Sequence, residues 1–266
     1  MSDKSSGNTI TFLGTAGARF MVTRQLAASG GLWLNLGGTE ILVDPGPGTL
    51  VQSVRRKLNA EKLSAIILSH RHLDHSADTN VMVEAMTSGG FNKHGWVFAP
   101  ADALGEEPVL FSYLKSSLEG IRLLEAGGSY QIGKVTFTTP IRHDHPVETY
   151  GLVFHDGGPT FAYIADSRYF DGLSRSYAAE LIIINTVLME PRAPVAHLAV
   201  ADAGRLISEI RPRAAILNHY GMGVWQAEPE KIARELSQKT GVRVIAARDG
   251  MVFDLDRLET RPPQGE

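Results

Sequence analysis

The stretch Ala65-Ile66-Ile67-Leu68-Ser69-His70-Arg71-His72-Leu73-Asp74-His75 decides how the rest of the chain is read. Four apolar residues form a compact buried strand. The six positions after Ser69 then hold three imidazoles and a carboxylate. Histidine is the commonest nitrogen ligand for zinc and other borderline metals. A short loop sends the side chains of His70 and His72 to one side and those of Asp74 and His75 to another, enough for two adjacent metals. Chance clustering is a poor alternative, because only nine histidines are spread over 266 residues.

A dinuclear site needs ligands from other segments, and three have the same layout. Thr136 to Ile141 leads into Arg142-His143-Asp144-His145, Phe161 to Ala165 ends at Asp166, and Ala214 to Leu217 ends at Asn218-His219. Ligands at strand ends are what a site built on strand-end loops requires. The spacing leaves His143 and His145 as rivals, since on an extended strand both face the same way.

Around these segments the pattern is mixed. Ile10 to Leu13 reads as a strand, and Leu32 to Leu36 and Thr39 to Val43 as a hairpin over Gly37-Gly38. Val135 to Thr139, Gly151 to Phe154 and Leu181 to Ile184 read as strands. Helices are expected near Leu50–Leu58, Ser76–Met86, Asp202–Ile210 and Pro229–Lys239. Leu110, Leu114 and Leu118 suggest a further helix in the broken region 91–130. Val242 to Ala246 and Met251 to Leu255, joined through Asp249-Gly250, suggest a last hairpin. The tail from Arg261 is polar and expected to fray. No linker or repeat is visible, so residues 1–266 are expected to form a single domain.

Composition bounds the function. Hydrophobic residues make up 43% and charged residues 21%, ordinary for a globular protein, which excludes a disordered chain. The formal charge of −3 argues against a large non-specific nucleic-acid footprint. With no cysteine there is no disulfide, no thiolate ligand and no thiol nucleophile. The start MSDKSSGNTI has no apolar core of a signal peptide, and no uncharged apolar run is long enough to span a bilayer. A cytoplasmic location is the expectation, with no membrane partner and with a homo-oligomer left open.

The H-x-H-x-D-H motif, followed by a lone His, a lone Asp and a final His, resembles the metallo-β-lactamase superfamily of hydrolases over nearly the whole chain. Thr11-Phe12-Leu13-Gly14-Thr15-Ala16-Gly17 and Leu42-Val43-Asp44-Pro45-Gly46-Pro47-Gly48-Thr49 are similar to the starts of its ribonuclease Z and cyclic phosphodiesterase branch. The resemblance implies an α/β protein with the αββα four-layer sandwich of that fold. It implies His70, His72 and His145 on one divalent metal, Asp74, His75 and His219 on the other, and Asp166 between them. His145 is preferred to His143 because it stands before Tyr150-Gly151, as in that branch. Zinc is the first expectation for both ions, with iron or manganese as alternatives. Such a pair lowers the pKa of a water between the ions and polarises the scissile oxygen. Asp74 and Asp166 would orient that water, and His197, ahead of the Asp202–Ile210 helix, would protonate the leaving group. His94 and His155 are read as loop or surface residues.

The implied substrate is a small anionic phosphodiester or cyclic phosphate. Arg19, Arg24 and Arg168 are candidate anion contacts, although lone arginines are usually solvated. The turn Gly14–Gly17 lacks the ending of a P-loop and is read as a tight turn near the site. Two departures count against tRNA processing. Only 20 residues separate His145 from Asp166, too few for the ribonuclease Z arm, and Ile184-Asn185-Thr186-Val187 replaces its His-Glu-Ala-Thr segment. A lactonase or β-lactamase-like hydrolase is the competing enzyme reading. A non-catalytic binding protein is a third, disfavoured because all seven ligand positions are filled.

Overall fold

The structure is a computed structural model that describes residues 7–155 and 157–261. One sheet is built from β1 (Thr9–Phe12), β2 (Leu32–Leu36), β3 (Thr39–Val43), β4 (Leu63–Ile67), β5 (Trp96–Ala99), β6 (Gly120–Leu123), β14 (Val252–Asp254) and β15 (Glu259–Thr260). Its order is β15-β14-β1-β2-β3-β4-β5-β6, with β3 to β6 parallel. The other contains β7 (Gly128–Ile132), β8 (Val135–Thr139), β9 (Leu152–His155), β10 (Phe161–Ile164), β11 (Leu181–Asn185), β12 (Ala214–Asn218) and β13 (Arg243–Ala246). Its order is β13-β12-β11-β10-β9-β8-β7, with β10 to β13 parallel.

Alternation along the strands explains the layers. In β11, Leu181 and Ile183 face the core between the sheets with Ile10, Phe12, Phe137, Phe154 and Ile216. Ile182 and Ile184 face the other way, against Leu206 and Ile207 of α6 (Val200–Ile210) and Ile232 and Leu236 of α8 (Pro229–Thr240). A strand buried on both faces reads as a continuous apolar run, which is why these segments lack a polar face. On the far side of the first sheet, Trp33, Leu42 and Ile66 pack against Met82, Val83 and Met86 of α4 (Thr79–Met86). Helix, sheet, sheet and helix give the αββα sandwich. Among the described residues, no helix is long and apolar enough to cross a membrane.

Several expectations are corrected. Val242–Ala246 and Met251–Leu255 do not pair with each other: β13 joins β12 in one sheet and β14 joins β1 in the other. The intervening Asp249 anchors the crossing, accepting from Thr15 N (2.9 Å), Thr15 Oγ1 (2.8 Å) and Ala28 N (2.7 Å). Leu110, Leu114 and Leu118 are buried, but no helix joins them: only Leu114 lies on a 3₁₀ turn, Ser112–Ser117. Its neighbours are drawn into strand-edge bonds, with His94 N on Ser117 O and Glu119 N on Gly95 O. The helix expected over Ser76–Met86 is two pieces, α3 (Leu73–Ser76) and α4, broken where Asp78 N bonds Pro45 O and Asp78 Oδ2 accepts from Leu50 N. Arg261 is tied down by Asp254 at 3.0 Å; the rest of the tail lies outside the described residues.

Candidate metal centre

Most residues of the site leave the carboxyl end of a parallel strand, the edge where open α/β sheets bind ligands, while His145 comes from the loop after antiparallel β8. Asp44 follows β3, His70 follows β4, Asp166 follows β10, Asn185 ends β11 and His219 follows β12. Two close approaches explain the glycines in the opening motifs. A Cβ on Gly46 would lie 2.1 Å from Asp74 O, and one on Gly17 would lie 2.3 Å from His219 O. The turn expected at Gly14–Gly17 does lie beside the site: Gly17 N bonds Tyr220 O and Tyr220 N bonds Thr15 O.

The expected ligands come together in two groups. His70 Nε2 and His145 Nε2 each stand 3.1 Å from His72 Nδ1. His75 Nε2 stands 3.0 Å from His219 Nε2, with Asp74 Oδ2 at 3.5 Å from the latter. Asp166 lies between the groups, its Oδ2 3.9 Å from His70 Nε2 and 3.5 Å from His75 Nε2.

The hydrogen positions show what the pockets demand. Asp44, an acceptor only, faces Ser69 N (2.6 Å), Ser69 Oγ (2.7 Å) and His75 Nδ1 (3.0 Å), so all three donate to it. His75 therefore has its hydrogen on Nδ1, and neutral, its Nε2 is a bare lone pair. Ser69 Oγ has given away its hydrogen and accepts from His70 Nδ1 at 3.0 Å, baring His70 Nε2. His145 Nδ1 donates to Ala196 O at 2.9 Å, baring its Nε2 as well. A single N–H on His72 Nδ1 cannot point at both lone pairs that face it. Converging imidazole lone pairs, each backed by a carboxylate, hydroxyl or carbonyl, are the arrangement of a metal site with its supporting partners. The donor set fits a divalent cation, and the groups His70/His72/His145, Asp74/His75/His219 and His70/His75/Asp166 could each hold one.

Burial favours the neutral His75 ring, but Asp166, Asp74 and Asp44 outweigh it and hold its pKa well above the usual value. His219 is raised in the same way, against its burial, chiefly by Asp166. Burial would raise Asp166, but His219, His197 and His75 hold it well below the carboxylate range. His70 is held well below the usual histidine value by burial and then by His75.

His143 is placed elsewhere. The segment bends, with His145 N on His143 O at 3.1 Å, so the two rings diverge and do not share a face. His143 Nδ1 meets Asp166 O at 3.2 Å and its Nε2 meets Tyr177 Oη at 2.7 Å. His197 belongs to neither group, yet its Nδ1 is 3.3 Å from Asp166 Oδ2 and its ring meets that of His145 edge-on at 5.2 Å. His155 is exposed and His94 half-buried, both outside the groups. Arg168 pairs with Asp144 at 3.4 Å, and Arg24 stacks on Phe20.

Residues 39–220 match the family profile described as the β-lactamase superfamily domain. This chain belongs to the metallo-β-lactamase superfamily. An uncharacterized protein of Methanocaldococcus jannaschii is 32% identical over 92% of this chain and 94% of its own length. The probable metallo-hydrolase YhfI of Bacillus subtilis is 31% identical over 72% of this chain and 80% of its own. The solved structure of YhfI, a metallo-β-lactamase fold protein, superposes with a TM-score of 0.78 at 26% identity, covering 93% of this chain and 99% of that one. A diphosphatase of the PhnP family shares the fold, with a TM-score of 0.69 at 17% identity over 92% of this chain and 96% of that one. The metallo-β-lactamase fold implies divalent metal binding, which the two clusters fit. Reading for ligand types alone passes over Asp44, Tyr163, Tyr177 and Asn185 of this metallo-hydrolase. The signal that could have found Asp44 and Asn185 is their place at the ends of β3 and β11.

Proposed function

We propose that this metallo-hydrolase is a phosphodiesterase with two divalent ions, zinc in the first instance, acting on a small phosphodiester or cyclic phosphate. The observation that carries the reading is Asp166 Oδ2, within 3.9 Å of ring nitrogens from both clusters. A carboxylate set between two candidate cation positions would suit an anionic phosphoryl group, since paired ions would neutralise both the attacking and the leaving oxygen. When bound, the ions supply Lewis acidity and an activated water. His70, His72 and His145 would hold one ion, Asp74, His75 and His219 the other, with Asp166 between. Asp74, partly exposed beside the cluster, would orient the attacking water. His197, with its Nδ1 toward Asp166, would present the other ring nitrogen to the leaving oxygen and return a proton to it. Burial lowers the His197 pKa, easing release of that proton.

The likeness to a diphosphatase supports phosphorus chemistry. The 20 residues from His145 to Asp166 must also supply β9 and β10, which disfavours an RNA-gripping arm there. The test gives one metal-replete preparation bis(p-nitrophenyl) phosphate, a cyclic nucleotide panel, a homoserine lactone, nitrocefin and a tRNA precursor. Turnover of a phosphodiester is expected. Turnover of lactone or nitrocefin alone would overturn the substrate class, and efficient tRNA trimming would overturn the small-substrate reading.

A further inference from the structure

A chain of buried hydrogen bonds runs beneath the site, and the chemistry of its members fixes its direction. Tyr163 Oη lies 2.9 Å from Asp44 Oδ2, and a carboxylate only accepts, so the phenol donates to it. Having given its hydrogen away, Tyr163 Oη accepts from Asn185 Nδ2 at 3.1 Å. The other amide hydrogen of Asn185 goes to Asp166 Oδ1 at 2.9 Å. A flipped amide would set its oxygen against two acceptors. The orientation is retained although it leaves Asn185 Oδ1, buried, with no hydrogen-bond partner among the described residues. Such an orphaned acceptor is costly, so the pair of bonds made by Nδ2 decides the placement.

We propose that Asn185 and Tyr163 are positioning residues that fix the Asp166 carboxylate between the two clusters, pinning Oδ1, which also stands 3.6 Å from His219 Nε2, so that Oδ2 faces His70 and His75. This rests on the dinuclear reading. Tyr163 carries the constraint to Asp44, which also holds His75 through Nδ1 and, through Ser69, His70. One ligand from each cluster and the carboxylate between them thus hang on a single strap. The strap crosses between the sheets, since Asp44 follows β3 while Tyr163 and Asn185 lie on β10 and β11.

The experiment titrates metal-free protein with Mn²⁺ by calorimetry and records electron paramagnetic resonance of the loaded form. Wild type is expected to take two spin-coupled ions. Asn185→Leu frees Oδ1 and should weaken the second ion by roughly 10- to 100-fold, the usual effect of losing a supporting partner, with altered coupling. Tyr163→Phe keeps the Asn185–Asp166 bond but lets the amide swing, and should move both readouts the same way by less. Second-ion affinity and coupling unchanged in Asn185→Leu would overturn the assignment. If that variant does not fold, Tyr163→Phe, which removes one oxygen only, decides in the same terms. A wild-type protein that takes one ion, or two uncoupled ones, would sink the dinuclear reading itself and this assignment with it.

Discussion

His143 Nε2 and Tyr177 Oη are 2.7 Å apart in the interior, and this bond settles what His143 does. The ring's Nδ1 faces the backbone carbonyl of Asp166, which only accepts, so Nδ1 carries the hydrogen and Nε2 accepts from the phenol. Both nitrogens are spent, one on the backbone of Asp166 and the other on Tyr177. Burial pushes the ring's pKa down from 6.5 to about 4.

That depression predicts a pH dependence. The folded protein keeps His143 neutral while the unfolded chain takes up a proton below about pH 6.5. The contribution to stability is complete above pH 6.5 and is lost as pH falls toward 4, amounting to about 3 kcal/mol. His143→Gln can donate to the carbonyl and accept from Tyr177 without titrating. Denaturant midpoints for wild type and variant should converge as pH drops from 7 to 4. A constant gap would show that His143 is not held neutral. The same variant should keep its metal, whereas His145→Gln should not.

Asp74→Ala should remove the second ion and most activity while leaving the first ion bound. Asp74 offers that cluster its one carboxylate besides Asp166. Metal analysis on the purified variant checks this, and two retained ions would refute the ligand assignment.

His197→Ala should keep full metal content while kcat falls by about 10²- to 10⁴-fold, the usual contribution of a general acid. Loss of metal would make His197 a ligand. An unchanged rate would leave it as a residue ahead of α6 with no part in turnover.

Metal binding should release a proton near neutral pH. Asp166 and its neighbours raise the pKa of both His75 and His219 against the pull of burial, and the 3.0 Å between their Nε2 atoms admits one shared proton. A raised pKa stabilises the metal-free fold at pH below 6.5 and ceases to do so as pH rises through the folded values. An incoming cation must displace that proton, so affinity should strengthen from pH 6 to 8. An indicator dye in weak buffer reads the release; none, with pH-independent affinity, would contradict the proton inventory.

Gly46→Ala should destabilise the fold by about 1 to 3 kcal/mol, as overpacking does, and weaken the second ion. The added carbon would sit 2.1 Å from Asp74 O, a backbone atom that cannot move without carrying Asp74 along. Thermal melting with and without metal measures both effects, and a wild-type response would mean the loops yield independently.

Much of this was readable along the chain. The hairpin strands Leu32–Leu36 and Thr39–Val43 and the strand Val135–Thr139 match observed boundaries, because alternation and turn glycines are local properties. The leucines at 110, 114 and 118 misled because bends on either side of a short 3₁₀ turn bury apolar residues at the same spacing as a helix would. The Asp249-Gly250 turn misled because its carboxylate serves Thr15 and Ala28, partners more than 200 residues away.

The donor types and the division of the first motif were legible along the chain. His70 and His72 go to one cluster and Asp74 and His75 to the other, since a six-residue loop leaves little choice of direction. Only packing set His145, and not His143, beside His72, and gave each ring nitrogen its partner. Those outcomes depend on partners such as Tyr163 and Asp44, which lie 119 residues apart and on opposite sheets. Apolar burial brings the sheets together without direction or preference for these pairs. Once they are packed, each buried polar atom takes the partner within reach, and those partners set the proton positions on which the site depends.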